Sequence, residues 1–133
     1  MAGPVFSRRG VLLAAATVPL TSCVARITEP RTVQIVTFNI WHDAGDWPRR
    51  LPLLVRSLKQ AAADIIVLQE VLQDKARPLP NQAQTIADML GGYSVHFFAT
   101  EPPGSSKRYG NAILTRFPVM DEVGTKLEPL NDY

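Results

Sequence analysis

The sequence predicts an α/β fold, and three stretches indicate it. Residues 32–41 are rich in β-branched and aromatic side chains, as is typical of a strand. Residues 48–63 carry apolar side chains at helical spacing. Residues 65–71 form a second predicted strand, which begins with the apolar run 65–68. Strand, helix and strand in this order predict a β-α-β unit with a right-handed crossover, its two strands parallel neighbours or separated by another strand.

The second strand ends in a carboxylate. Ile65-Ile66-Val67-Leu68 is followed directly by Gln69-Glu70, and the apolar run predicts a strand buried on both faces. An ionised glutamate is costly to bury unless it is paired or bound to a metal. The alternative is that Glu70 leaves the sheet and meets water or a nearby arginine.

The first strand also ends in a polar side chain, Asn39. Neighbouring strands that each carry an oxygen ligand at the carboxyl end would place both oxygens in one crevice, where open α/β sheets bind ligands. Amide and carboxylate oxygens suit a hard cation such as Mg²⁺. Asn39 and Glu70 are therefore the candidate metal ligands.

The first helix is amphipathic. Asp46 is its predicted N-cap and Pro48 lies in its first turn. Its apolar stripe consists of Leu51, Leu54, Val55 and Leu58. Arg49, Arg50, Arg56 and Lys59 lie off this stripe, which predicts a solvated outer face rather than a phosphate or membrane patch.

The remaining elements are shorter. We expect a loop over residues 72–80, a helix that starts at the cap Asn81 and stops at Gly91, strands over 93–100 and 108–115 that form a hairpin, and a further strand over 119–127. The apolar face of the second helix consists of Ala83, Ile86, Ala87 and Leu90.

The amino terminus has the pattern of an export signal. Arg8-Arg9 precede a short apolar region that ends in Leu20-Thr21-Ser22-Cys23, a pattern typical of a twin-arginine signal with a lipobox. We predict residues 1–22 as the signal peptide, 23–31 as a tether and 32–133 as the domain, with Cys23 lipidated. Cys23 is the only cysteine, which excludes a disulfide within the chain. The alternative is a chance apolar start with a buried cysteine.

The charge balance argues against tight binding of nucleic acid. The chain has 14 basic and 12 acidic residues, and the excess of two equals Arg8 and Arg9 of the predicted signal. The predicted mature chain therefore lacks the basic excess of a tight nucleic-acid binder.

Three strings resemble the endonuclease/exonuclease/phosphatase superfamily, which includes DNase I-like nucleases, inositol-polyphosphate phosphatases and bacterial sphingomyelinases. They are TFNIW at 37–41, VLQEV at 67–71 and YGNAILTRFPV at 109–119, in the order found in the family. The resemblance extends from Thr32 to the end of the chain and corresponds to the amino-terminal half of the family's domain. It implies a four-layer α/β sandwich, two packed sheets with helices outside.

The resemblance also implies a divalent-metal-dependent phosphoester hydrolase. The metal would be Mg²⁺, with Mn²⁺ or Ca²⁺ as alternatives; Glu70 would bind it, and Asn39 would orient the metal water or the phosphate. His42, Tyr109 and Asn111 are candidate substrate contacts. The alternatives are that His42 and its neighbour Asp43 are turn groups, that Tyr109 is structural and that Asn111 supports the site through hydrogen bonds. Gln82, at the start of the second helix, would face the site.

The implied partners are a phosphoester substrate (nucleic acid, phospholipid headgroup or small phosphodiester) and the bacterial cytoplasmic membrane. We expect the lipid anchor to hold the exported protein on the outside of this membrane. Further Asp, His and Asn groups of the family belong to later motifs. We therefore expect residues 24–133 alone to be inactive and poorly soluble. The competing hypothesis is a surface-anchored lipoprotein that binds a ligand without chemistry.

Overall fold

A mixed sheet of four strands carries two helices. The computed structural model describes residues 32–125 and 127, so the predicted signal peptide, Cys23 and the tether lie outside the described residues. The elements are β1 (Ile35–Asn39), α1 (Trp47–Ala61), β2 (Ile65–Asp74), α2 (Gln82–Leu90), β3 (Ser94–Ala99) and β4 (Lys107–Thr115). The strand order is β1-β2-β4-β3. The predicted α/β class is confirmed.

The pairing confirms both predicted motifs. β1 and β2 are parallel neighbours, with Ile35 opposite Ile65 and Asn39 opposite Gln69. β3 and β4 are an antiparallel hairpin. Gly110 is essential to this hairpin because a Cβ atom there would lie 1.9 Å from the carbonyl oxygen of Phe98.

Both helices begin where the capping residues predict. The Asp46 side chain accepts a hydrogen bond from Arg49 N, and the Asn81 side chain accepts from Ala83 N and Gln84 N. Each cap satisfies backbone donors that have no partner within the helix. The chain therefore enters both helices at defined angles.

One core lies between the helices and one face of the sheet. It is formed by buried apolar side chains of α1 (Leu54, Val55, Leu58), α2 (Ala83, Ile86, Ala87), β2 (Ile66, Leu68, Val71) and β4 (Ala112, Leu114). The predicted apolar faces of both helices therefore point inward, with Leu51 and Leu90 half-buried at the margin.

β2 is not buried on both faces, and this expectation was wrong for the described residues. Ile66 and Leu68 are inaccessible, whereas Ile65 and Val67 are half-buried. On the face of the sheet opposite the helices, Ile35 is 63% exposed. The described part of the chain contains one sheet of the four-layer arrangement that the resemblance implies.

Two predicted boundaries also differ. β2 continues to Asp74, where we expected a loop, because its residues from Val71 onward pair with Lys107–Gly110 of β4. Residues 119–125 and 127 are not in a strand. No helix within the described ranges is both long and apolar enough to cross a membrane.

Candidate active site

β2 is interrupted near its middle by a β-bulge. Leu68 pairs with Ala112 and Val71 pairs with Gly110, so two residues of β2, Gln69 and Glu70, lie opposite a single residue of β4. Glu70 has φ +58°, a left-handed conformation that costs an L residue about 1–2 kcal/mol. The bulge turns Glu70 out of the alternation that buries Ile66 and Leu68.

The loop between β1 and α1 follows this bulge. Ile40 N donates to Gln69 O at 3.0 Å, and His42 N donates to Glu70 O at 3.1 Å. Trp41 and His42 have φ values of +56° and +35°. Left-handed residues on both chain segments therefore meet at one corner of the sheet, as strained residues often do at functional sites.

Asn39 and Glu70 are in direct contact at this corner. Asn39 Nδ2 donates to Glu70 Oε1 at 2.9 Å, and Asn39 Oδ1 accepts from Trp41 N at 2.8 Å. The reverse amide orientation would place Oδ1 against a carboxylate and Nδ2 against an N–H group, so the two contacts fix it. Asn39 therefore orients Glu70, and its own oxygen is committed to the backbone.

Tyr109 extends the corner from β4. Burial, followed by the charge of Glu70 and a hydrogen bond to its carboxylate, raises the pKa of the Tyr109 hydroxyl. The rings of Tyr109 and His42 meet edge to face, with centroids 6.0 Å apart. The structure thus brings together Asn39, Glu70, His42 and Tyr109, four of the residues that the sequence singled out.

An ion-pair chain lies behind His42. His42 Nδ1 is 2.9 Å from Asp43 Oδ1, and Asp43 Oδ2 is 2.8 Å from Arg77 Nη2. Arg77 Nε also donates to Asp74 at 2.9 Å. The hydrogen bond to His42 and the Arg77 guanidinium lower the pKa of Asp43, and the hydrogen bond from Arg77 lowers the pKa of Asp74. This chain ties the β1–α1 loop to the end of β2.

Arg50 is the residue that sequence reasoning missed. We expected a solvated side chain, but Arg50 is half-buried and donates to the carbonyl oxygens of Ile40, His42 and Ala44 at 2.9, 3.0 and 2.7 Å. Side chains of a helix point toward its amino terminus. A long cationic side chain in the first turns can therefore reach the preceding loop, a signal that the apolar stripe alone does not show.

Two residues lie elsewhere. We expected Gln82 to face the site, and this was wrong. Its side chain is 1% exposed, and its Oε1 accepts from Leu72 N at 2.9 Å. It is buried because the first residues of α2 pack on β2. Asn111 is exposed opposite the bulge and lines a groove with Phe98 and Thr125. Its contact with substrate stays a prediction.

A family model provides the decisive comparison. The model of the endonuclease/exonuclease/phosphatase family matches residues 36–133, which is most of the chain. The chain belongs to this family. No curated protein sequence matches it significantly.

Two solved structures are similar to this endonuclease/exonuclease/phosphatase family member. A family protein from Leptotrichia buccalis has a TM-score of 0.57 at 19% identity, over 68% of this chain and 40% of that one, and supports the fold. An endonuclease/exonuclease/phosphatase from Beutenbergia cavernae has a TM-score of 0.40 at 21% identity, over 54% and 22% of the two chains. The chain therefore spans less than half the length of either protein.

The family typically comprises metal-dependent phosphoester hydrolases that usually use Mg²⁺. Among the described residues, no three His, Cys, Asp or Glu side chains form a metal-binding group. Mg²⁺, however, often takes one or two protein carboxylates and keeps several waters. A half-buried carboxylate held by an amide at a polar corner fits one such ligand, and Glu70 meets this description.

Proposed function

We propose that this family member is a divalent-metal-dependent phosphodiesterase in which Glu70 is a metal ligand. The contact between Asn39 Nδ2 and Glu70 Oε1 at 2.9 Å carries the proposal. It orients a carboxylate at a corner where Trp41, His42 and Glu70 all have left-handed backbones. A fold without a function at this corner would gain stability from relaxing it.

Each residue then has a distinct role. Asn39 holds the Glu70 carboxylate. Tyr109 carries its proton at neutral pH, as a phenol ordinarily does, and can donate it in a hydrogen bond; the raised pKa acts in the same direction. The contact of His42 Nδ1 with Asp43 leaves Nε2 as the ring nitrogen available to the substrate or to a water molecule. A bound divalent cation would stabilise negative charge on the phosphoryl oxygens and the leaving group.

The substrate class follows from charge and export. The absence of a basic excess outside the predicted signal argues against high affinity for duplex DNA, although a nuclease needs only transient contact. An enzyme anchored outside the cytoplasmic membrane through Cys23 would meet extracellular nucleic acid, phospholipid headgroups and small phosphodiesters. We propose a phosphodiester from these sources as the substrate.

The test uses the protein from the full reading frame. Turnover of DNA, sphingomyelin, a generic phosphodiester and a phosphomonoester is measured with Mg²⁺, with EDTA and after Mg²⁺ is restored. We expect hydrolysis of at least one diester, lost in EDTA and in Glu70→Gln. Asp64→Asn is the matched control, since this carboxylate precedes the same strand and accepts from Gln34 N at 3.1 Å.

Three results would contradict the proposal. Full Mg²⁺-dependent activity of Glu70→Gln would remove Glu70 from the site, and activity confined to phosphomonoesters would refute the diester. Ligand binding without any turnover would favour the non-catalytic lipoprotein. Inactivity of residues 24–133 alone remains a prediction, which rests on the chain spanning only 40% of the length of the similar Leptotrichia buccalis protein.

Export is a separate proposal. Replacing Cys23 with serine should release the protein from the membrane fraction and cause unprocessed precursor to accumulate, because several acyl chains together anchor stably. Replacing Ser22 with alanine is the control, since it leaves the lipidated thiol in place. A Cys23→Ser protein that is processed normally and stays membrane-bound would refute the lipobox.

A further inference from the structure

We infer that Arg50 is a positioning residue for this site. Its guanidinium fixes residues 40–44, which we call the corner loop, in the conformation that places Asn39 and His42 beside Glu70. The hydrogen bonds of Arg50 go to backbone carbonyls, including that of His42, and not to the Glu70 carboxylate or the His42 ring. The effect of Arg50 on turnover rests on the proposed function, whereas its effect on the loop does not.

The hydrogen bonds supply the first argument. Arg50 Nη1 donates to Ile40 O, and Nη2 donates to His42 O and Ala44 O, all at 3.0 Å or less. These carbonyls belong to three different residues of one short loop, and they converge on one planar group. A guanidinium can serve several acceptors in fixed directions, whereas the ammonium of lysine is a single point charge.

The backbone supplies the second argument. Trp41 and His42 are consecutive left-handed residues, and neither is glycine. Such a pair persists only where its surroundings hold it. Two amides of the loop are held from the β2 side, where Ile40 N and His42 N donate to Gln69 O and Glu70 O. Arg50 holds the carbonyls of these same residues, Ile40 and His42, from the helix side.

The aromatic neighbours supply the third argument. The Arg50 guanidinium lies 5.5 Å from the ring centroids of both Trp41 and Trp47. Trp47 is buried in the core, whereas Trp41 is 57% exposed at the rim of the corner. Arg50 therefore connects the loop to the rigid start of α1. These are the two tryptophans of the sequence, so their near-ultraviolet circular dichroism reports on this contact.

The test compares Arg50→Ala and Arg50→Lys with Arg49→Ala in the protein from the full reading frame. Arg49 is the neighbouring residue; its side chain is 87% exposed and lies 4.0 Å from its carboxylate partner. For both Arg50 variants we expect kcat to fall about 10- to 100-fold with little change in KM, since small misplacements of catalytic groups have effects of this size. The tryptophan dichroism should weaken in both variants, and Arg49→Ala should match the wild type in each measurement.

A rescue experiment separates positioning from a general loss of folding. Added guanidinium ion, at concentrations far below those that denature proteins, should restore part of the kcat and of the dichroism of Arg50→Ala. It should restore neither in Arg50→Lys, where the side chain fills the site, and it should not restore the turnover of Glu70→Gln. If Arg50→Ala does not fold, Arg50→Lys, which keeps the charge and most of the length, provides the kcat and the dichroism.

The outcomes are distinct. Wild-type kcat and dichroism in Arg50→Lys would overturn the inference, as would a loss in Arg50→Ala that guanidinium leaves unchanged although the variant is folded. Wild-type turnover in Glu70→Gln would refute the proposed function instead. The tryptophan dichroism with and without guanidinium would then still decide whether Arg50 fixes the corner loop.

Discussion

The start of β2 and the bulge within it carry similar features with different meanings. Near its start, Ala62 is left-handed with φ +48°, and Asp64 supplies a carboxylate. At the bulge, Glu70 is both the left-handed residue and the carboxylate. Ala62 ends helix α1, where its N–H donates to Lys59 O, and a left-handed residue is common at such a position. Asp64 accepts from the backbone of Gln34 and joins the starts of β1 and β2.

Glu70 has neither explanation. It does not end a helix, and its carboxylate accepts from a side chain, Asn39, at the corner between β1 and β2. A left-handed residue or a carboxylate is therefore weak evidence for a site when the fold accounts for it. The coincidence of both at Glu70, next to the left-handed Trp41 and His42, is the stronger signal.

The largest expected effect is the loss of turnover when Glu70 is replaced, which tests whether Glu70 differs from Ala62 and Asp64. Both Glu70→Ala and Glu70→Gly should lose turnover by about three orders of magnitude, because metal stabilisation of the transition state is worth several kcal/mol. Glu70→Gly should be more stable than Glu70→Ala by about 1 kcal/mol, since glycine adopts the left-handed conformation freely. Turnover assays and urea denaturation measure the two effects.

Ala62→Gly is the matched control for this prediction. It should also gain about 1 kcal/mol in the free energy of unfolding, because its left-handed conformation favours glycine in the same way. Its turnover should not change. Equal stabilities of Glu70→Gly and Glu70→Ala would show that the bulge holds no backbone strain.

The next effect sharpens the comparison at β1. Asn39→Ala should lower turnover or metal affinity about 10- to 100-fold, as is usual when the residue that orients a metal ligand is lost. Gln34→Ala, at the other end of the same strand region, should have no such effect, because only the backbone of Gln34 contacts Asp64. Isothermal titration with Mg²⁺ measures metal affinity separately from turnover. Similar losses of activity or affinity in Asn39→Ala and Gln34→Ala would contradict the special role of Asn39.

The smallest effect concerns Arg77, and it depends on pH. The hydrogen bond to His42 and then Arg77 lower the pKa of Asp43, and Arg77 lowers the pKa of Asp74. The contribution of both carboxylates to stability is therefore present above the unfolded pKa of about 3.9. It is lost as pH falls through the lower folded values. Arg77→Gln should therefore have a lower Tm than the wild type near neutral pH, and the gap should close in acid. Lys75→Gln is the exposed control, and a gap that widens in acid would contradict the assignment.

Much of the scaffold could be predicted because its signals are local. The caps Asp46 and Asn81, the helical stripes and the hairpin each depend on spacing within a few residues. The neighbourhood of Asn39 and Glu70 follows from the parallel pairing of their strands, which ends at Asn39 and Gln69, although β2 itself continues past Glu70 to Asp74. Their chemical roles stay predictions.

The rest depends on contacts that spacing does not encode. The left-handed residue of the bulge is Glu70 and not a glycine, so no residue type in the sequence indicates the bulge. The role of Arg50 depends on three backbone carbonyls that no sequence pattern displays. The exposed face of β2 could not be predicted because a run of apolar residues does not show which face another layer covers.

Because of the bulge, the site depends on the number of residues in β2 as well as on their identity. Any substitution in β2 still leaves two residues opposite Asn111, because the number of residues between Leu68 and Val71 is unchanged. Deletion of Gln69 would instead restore one-to-one pairing and return Glu70 to an ordinary extended position along the strand. The loss of one codon would thus abolish the corner although Asn39, Glu70 and Tyr109 are all retained, so the spacing of this motif carries as much information as its glutamate.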